Sequence, residues 1–285
     1  TLPLHLMFEL TACIQVNTLI QRVDRRRSRQ RDMSGDVDNP NQHLDRGKVL
    51  EILLSAKSDL PRNEPEIASN ISQQLQHMGL DTWGISLIRR VRDACAILQP
   101  KVVLETGSQI GHKSAWLFDL FTMEGHKPDN YVMVEKGGKF GVILARLRTR
   151  YDAEDWADIK IGDINSLCSD AKAWKMANAT NLSETESPIP QKIDFILVDE
   201  KAEDLAKTVS NLLPFLSESG VLLLREPDVP VGETDGTDSV FEQQVKGFNE
   251  WIGLIKEISQ THLIRMNPIF GGTLVGIMKQ TQPLQ

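Results

Sequence analysis

The chain has 285 residues, 40% of them hydrophobic and 25% charged, the balance of an ordinary globular fold. A net charge of −7 argues against a surface built on nucleic-acid contacts. No apolar run reaches the ~20 residues that cross a bilayer, and three scattered cysteines, Cys13, Cys95 and Cys168, suit neither a disulfide framework nor a zinc knuckle. A reducing, cytoplasmic setting is therefore expected, and no fixed-period repeat points to a solenoid.

Residues 1–44 are expected to form a poorly ordered N-terminal extension that contributes nothing to ligand binding. An apolar segment over 1–20 could form a helix. It is followed by a cluster of arginines between Arg22 and Arg31, which could also suit a transit peptide, nucleic acid or anionic lipid. From residue 45 to 285 the pattern reads as one domain. Val49, Leu50, Ile52, Leu53 and Leu60 predict a first helix. Asn63-Glu64-Pro65-Glu66 predicts the start of a second, with Asn63 as its cap, and Gly79 its end. A third runs from Trp83 to Leu98 and stops before Pro100.

Strands and helices then alternate. Strands are predicted at Val102–Glu105, Tyr131–Glu135, Ile159–Ile161, Ile193–Val198 and Gly220–Leu224. Helices fall around Ala115–Leu120, Phe140–Leu147, 164–177, Leu205–Leu216 and Ser239–Glu257. Polar loops over 179–192 and 226–238 interrupt the pattern. His262–Met266 and Thr273–Met278 close the chain as an antiparallel hairpin through Gly271-Gly272. The implied fold class is α/β: a doubly wound, mainly parallel, seven-stranded sheet with a C-terminal antiparallel hairpin.

In such sheets ligands sit outside the carboxyl ends of the strands. Those ends carry Glu105, Glu135, Asp163, Asp199 and Arg225-Glu226. After the first strand comes Glu-Thr-Gly-Ser-Gln-Ile-Gly (105–111), a glycine turn leading into a helix. Its Gly-x-x-x-Gly spacing is not the Gly-x-Gly-x-x-Gly of dinucleotide folds. An acid at the strand tip disfavours a pyrophosphate and suits a ligand with a cationic amino group, which points to S-adenosylmethionine (SAM).

These residues resemble the class I SAM-dependent methyltransferases, and within them the catechol/caffeoyl-CoA type of O-methyltransferase. The resemblance runs from about Met78 to Lys279. It rests on Leu104–Gly111, Val134-Glu135, Gly162-Asp163, Ile193–Asp199, Leu212–Leu224 and Phe248–Trp251. It implies a Rossmann-like sheet and assigns Glu105, Gly107, Ser108 and Gly111 to the methionine end of SAM, with Glu105 facing its amino group. Lys113 or Ser114 would meet the SAM carboxylate, Glu135 the ribose hydroxyls, and Asp163 the adenine amino group. Asp199 would serve both cofactor and catalysis. Leu80–Gly84 matches the segment that closes over SAM.

The family's divalent metal site departs from its pattern here. Asp199 is retained, but Lys201 lies one position early, and Arg225-Glu226 replaces the family's Asp-Asn pair. Arg225 would either turn inward and pair with Asp199 or Glu226 in place of a metal, or turn outward and leave Asp199 and Glu226 to bind Mg²⁺ only weakly. The implied activity is methyl transfer to a small molecule, most plausibly at oxygen, with Asp199, Lys201, Glu226 and His112 as candidate catalytic groups. Two alternatives stand beside it: an RNA methyltransferase using the arginine arm, and a non-catalytic SAM-binding protein. A homodimer is left open.

Overall fold

The computed structural model describes residues 46–55, 58–180, 186–232 and 239–280. The expected N-terminal extension, its helix and its arginine cluster lie outside the described residues. The described chain begins with helices α1 (Arg46–Ser55), α2 (Glu66–His77) and α3 (Ile85–Leu98). The alternating unit follows as β1 (Val102–Thr106), α4 (His112–Phe121), β2 (Asn130–Glu135), α5 (Gly138–Arg150) and β3 (Ala157–Ile161). Next come α6 (Ile164–Thr180), β4 (Ile193–Val198), α7 (Ala202–Leu212), a 3-10 turn at Leu213–Phe215 and β5 (Leu216–Arg225). The chain ends with α8 (Ser239–Ile258), β6 (His262–Ile269) and β7 (Gly272–Lys279).

These strands form one seven-stranded sheet in the order β3-β2-β1-β4-β5-β7-β6. β3, β2, β1, β4 and β5 are parallel; β7 runs antiparallel to β5 and to β6. The predicted doubly wound architecture is therefore the observed one. Because β1 is buried on both faces, its alternate side chains enter two separate cores. Val103 packs with residues of α3, α4 and α5, while Leu104 packs with residues of α6, α7 and α8. Burial of some sixty apolar side chains in these layers drives the fold, at roughly 1.5–3 kcal/mol for each large one.

Local signals explain most boundaries. α2 ends as the sequence predicts: Gly79 takes a φ of +63°, the Gly79 N–H donates to Gln76 O at 3.1 Å, and the Leu80 N–H to Leu75 O at 2.9 Å. That pair of bonds is a Schellman closure. The start of α2 differs from expectation. Pro65, not Asn63, occupies the N-cap and has no side-chain acceptor, so no side chain caps the helix; the neighbouring Glu64 is turned to His112. α1 begins three residues earlier than predicted and ends at Ser55; Leu60 reaches the core from outside any helix. β5 begins at Leu216 rather than Gly220, with an irregularity in its pairing between Ile193 and Phe195.

Candidate functional site

The carboxyl ends of β1, β2, β4 and β5 open into a cleft of about 1020 Å³. β1 lies between β2 and β4, and the helices that follow β1 and β4, α4 and α7, pack on opposite faces, so the loops part between the two strand tips. The floor is the 107–111 turn. Gly107 has φ +66°, and its Cα faces the Asp199 carbonyl so closely that a Cβ would stand 1.8 Å from that oxygen. The tips of β1 and β4 are thus in direct backbone contact, and only glycine fits between them.

Glu135 ends β2 at the cleft wall, 8% exposed. Its Oε2 accepts the Gln109 N–H at 2.7 Å and its Oε1 accepts the Gly137 N–H at 2.9 Å. Each oxygen keeps a second lone pair. Gln109 itself adopts φ +51°, and its Nε2 donates to Asp81 O at 3.2 Å, tying the glycine turn to the 79–84 segment.

Glu105 does not face the cleft. It is fully buried, accepting bonds from the Tyr131 hydroxyl and, at 3.0 Å, from Ser114 Oγ. The reason is strand parity: Glu105 lies on the same side of β1 as Val103, under α4, whereas Thr106 points the other way. Burial raises the Glu105 pKa, opposed by the Lys113 charge and by the Tyr131 and Ser114 hydroxyls. Ser114, expected near a ligand carboxylate, is consequently a core partner of Glu105. Ser108 is likewise fully buried and outside the cleft lining, and Gly111 packs against Leu144 and Leu147.

Lys113 has partners that the sequence does not indicate. Its Nζ donates to Asp199 Oδ2 at 2.6 Å and to Gly107 O at 3.3 Å, beside the Trp83 ring. Only 2% of its side chain is exposed. Burial alone would lower its pKa, but Asp199, Glu105 and Glu135 outweigh burial and the net shift is upward. The other Asp199 oxygen, Oδ1, accepts the Trp83 Nε1–H at 2.9 Å.

Of the two alternatives for Arg225, the inward pairing with Asp199 is not the one observed. The Arg225 guanidinium bonds both oxygens of Asp228, at 2.6 and 2.8 Å, rather than Asp199. Lys201 stands at the N-cap of α7 with 83% of its side chain exposed, 4.0 Å from Glu203 and not paired to Asp199. Glu226 lines the cleft, where its N–H donates to Thr273 O at 2.9 Å. Asp163 caps α6, its Oδ2 accepting the Ser166 N–H at 3.0 Å.

The metal of the resembling family does not fit these residues. Among the described residues no three His, Cys, Asp or Glu side chains are grouped to hold an ion. The one retained ligand, Asp199, has an ammonium 2.6 Å away that would repel a dication.

Several groups at the site carried no signal in the sequence. Thr106 Oγ1 donates to Glu200 Oε1 at 2.6 Å, and Lys136 Nζ donates to Glu200 Oε2 at 3.0 Å and Asp204 Oδ2 at 3.2 Å. This chain of bonds crosses the tip of β1 and joins β2 to α7. The position of Lys136 immediately after Glu135 was the one available hint.

His112 is not a base facing the cleft. It is buried, with Nε2 2.6 Å from Glu64 Oε1 and Nδ1 3.0 Å from Thr82 Oγ1. Burial lowers its pKa below 6.5, against the pull of Glu64. The folded chain then binds fewer protons at this ring than the unfolded chain does. Its contribution to stability is full above the unfolded value and is lost as pH falls through the lowered one. Tm is accordingly expected to fall as pH drops below the ordinary histidine range, and less steeply in His112→Asn. The remaining slope would include His262, which burial and Lys279 shift the same way. Superimposable Tm profiles for the two proteins would refute the assignment.

No protein-family model and no curated protein matches the chain. Solved structures do match. The SAH-bound methyltransferase PaMTH1 of Podospora anserina superposes with a TM-score of 0.54 at 15% identity, over 87% of this chain and 100% of its own. An O-methyltransferase from Bacillus cereus in complex with SAH gives 0.52 at 14% identity, over 82% and 100%. TomG, an O-methyltransferase of tomaymycin synthesis from Streptomyces achromogenes, in complex with SAM, gives 0.53 at 15% identity, over 86% and 100%. The fold is that of the class I SAM-dependent methyltransferases, O-methyltransferases among them.

Proposed function

We propose that the chain binds SAM in this cleft and transfers its methyl group to a small molecule, at oxygen in the first instance, without a divalent metal. The observation that carries the reading is Glu135. Its two oxygens are held by backbone N–H groups on one side, and each keeps a lone pair for one of two vicinal hydroxyls, as a ribose presents them. Gly107 lets the turn lie flat beneath a ligand. SAM, when bound, supplies an electrophilic methyl group. The task of the chain's own residues is to hold donor and acceptor in line and exclude water.

Acidic side chains outnumber basic ones among the described residues lining the cleft. That field favours a neutral or cationic acceptor over a polyanion and weighs against the RNA reading. The non-catalytic reading has a specific observation in its favour: Lys201 points to solvent and Asp199 is engaged by Lys113, so neither of these candidates stands free as a base. Calorimetric titration with SAH, followed by mass spectrometry of reactions with phenols and amines, separates the readings. Binding with turnover supports the enzyme, and binding without turnover on any acceptor supports the binder. No binding overturns both. Any turnover is expected to be unchanged by EDTA, and Mg²⁺ is not expected to raise Tm; activity lost to EDTA and restored by Mg²⁺ would overturn the metal-free reading.

A further inference from the structure

Several carboxylates line the cleft, but those at the tips of β1 and β4 are already engaged by donors of the chain. Glu105 is in the core, and Glu135 lies at the end of β2, across β1 from β4. Near the tip of β4, where Glu200 is engaged by Thr106 and Lys136, two further acceptors in the cleft lining are the Asp199 carboxylate and the Gly107 carbonyl. Both are already bonded to one donor, Lys113 Nζ, at 2.6 and 3.3 Å. That ammonium arrives from beneath the floor. Lys113 sits in the first turn of α4 and rises past Trp83, Ile88 and Leu117, so its stem is packed in apolar surroundings. Trp83 completes the shell by bonding the second Asp199 oxygen.

We propose that Lys113 is the specificity-determining residue of the cofactor site: its ammonium takes the place that a ligand's α-ammonium or a divalent ion would take on Asp199 and Gly107. The inference rests on the SAM reading above and deepens it. The site then recognises SAM through its adenosine and, by attraction to Lys113, through its carboxylate. The α-amino group of the ligand contributes little, because a second ammonium beside Lys113 would be repelled and each Asp199 oxygen already accepts one bond. The same ammonium removes Asp199 as a metal ligand, which accounts for the misfit of the metal without any role for Arg225.

The test compares SAH with its desamino analogue, which keeps the carboxylate and lacks the amino group, and with 5′-methylthioadenosine, which lacks the whole amino-acid tail. Calorimetric Kd values are measured for the wild type and for Lys113→Met, with circular dichroism to establish folding. In the wild type, desamino-SAH is expected to bind at least as tightly as SAH, and methylthioadenosine more weakly than either. In Lys113→Met, the freed Asp199 is expected to shift the preference toward SAH by about tenfold. A wild type that binds SAH about tenfold or more tightly than desamino-SAH overturns the proposal while leaving the SAM reading intact. So does an unchanged preference in folded Lys113→Met. If that variant does not fold, the wild-type ratio alone decides. Failure of all three ligands to bind the wild type overturns the SAM reading, and the proposal with it.

Discussion

Replacing Glu135 with alanine is expected to weaken SAH binding by about 1.5–3 kcal/mol, the range for hydrogen bonds to a charged group. The loss has two sources. The variant lacks the acceptors for two ribose hydroxyls, and it also releases the N–H groups of Gln109 and Gly137 that the carboxylate now holds. Freed from that anchor, Gln109 would have less reason to keep its left-handed conformation, and the turn would loosen. Glu135→Gln separates the two sources, because it keeps one acceptor oxygen for the backbone. Calorimetry on both variants reads the result. If Glu135→Ala, still folded, binds SAH as tightly as the parent, the ribose assignment is wrong.

Gly107→Ala is expected to be the most disruptive single change at the site. The left-handed backbone alone costs an alanine about 1–2 kcal/mol. Beyond that, its Cβ would stand 1.8 Å from the Asp199 carbonyl oxygen and 2.9 Å from the carbonyl carbon. Neither atom belongs to a flexible side chain, so the tips of β1 and β4 must separate. That movement breaks the Asp199 N–H bond to Thr106 O, now 3.3 Å, and draws Asp199 from Lys113. Gly79→Ala is the control, since Gly79 has a similar φ of +63° and nothing within 4 Å of its Cβ position. Denaturant unfolding should show a larger loss for Gly107→Ala than for Gly79→Ala, and SAH binding should disappear only in the former. Equal losses in the two variants would mean the contact between the strand tips is not rigid.

The sheet was legible because its strands are buried runs broken at regular intervals by amphipathic helices, and two carboxylates at strand ends, Glu135 and Asp199, marked where the cleft would open. Side-chain direction was not legible. In a strand buried on both faces, Val103, Leu104 and the residues beside them are alike in polarity, so nothing in composition told which face Glu105 would take. The partner of Asp199 was hidden for a different reason. Lys113 is 86 positions away in sequence, and Arg225 was the cation nearest to expectation. Asp228, three residues after Arg225, drew that guanidinium off instead. Residues near a turn compete for each other locally before they can serve a distant strand.

The sheet's order leaves β3 and β6 as its two edges, and exposed edges invite further strands to add. β3 places Asp158 and Lys160 along its length, joined by an ion pair of 2.6 Å. β6 carries Arg265 in its middle and Pro268 near its end, where the missing N–H interrupts any new ladder. Charge at one border and a proline at the other discourage edge-to-edge aggregation. Extension of the sheet from one copy of the chain to another is therefore disfavoured at both borders.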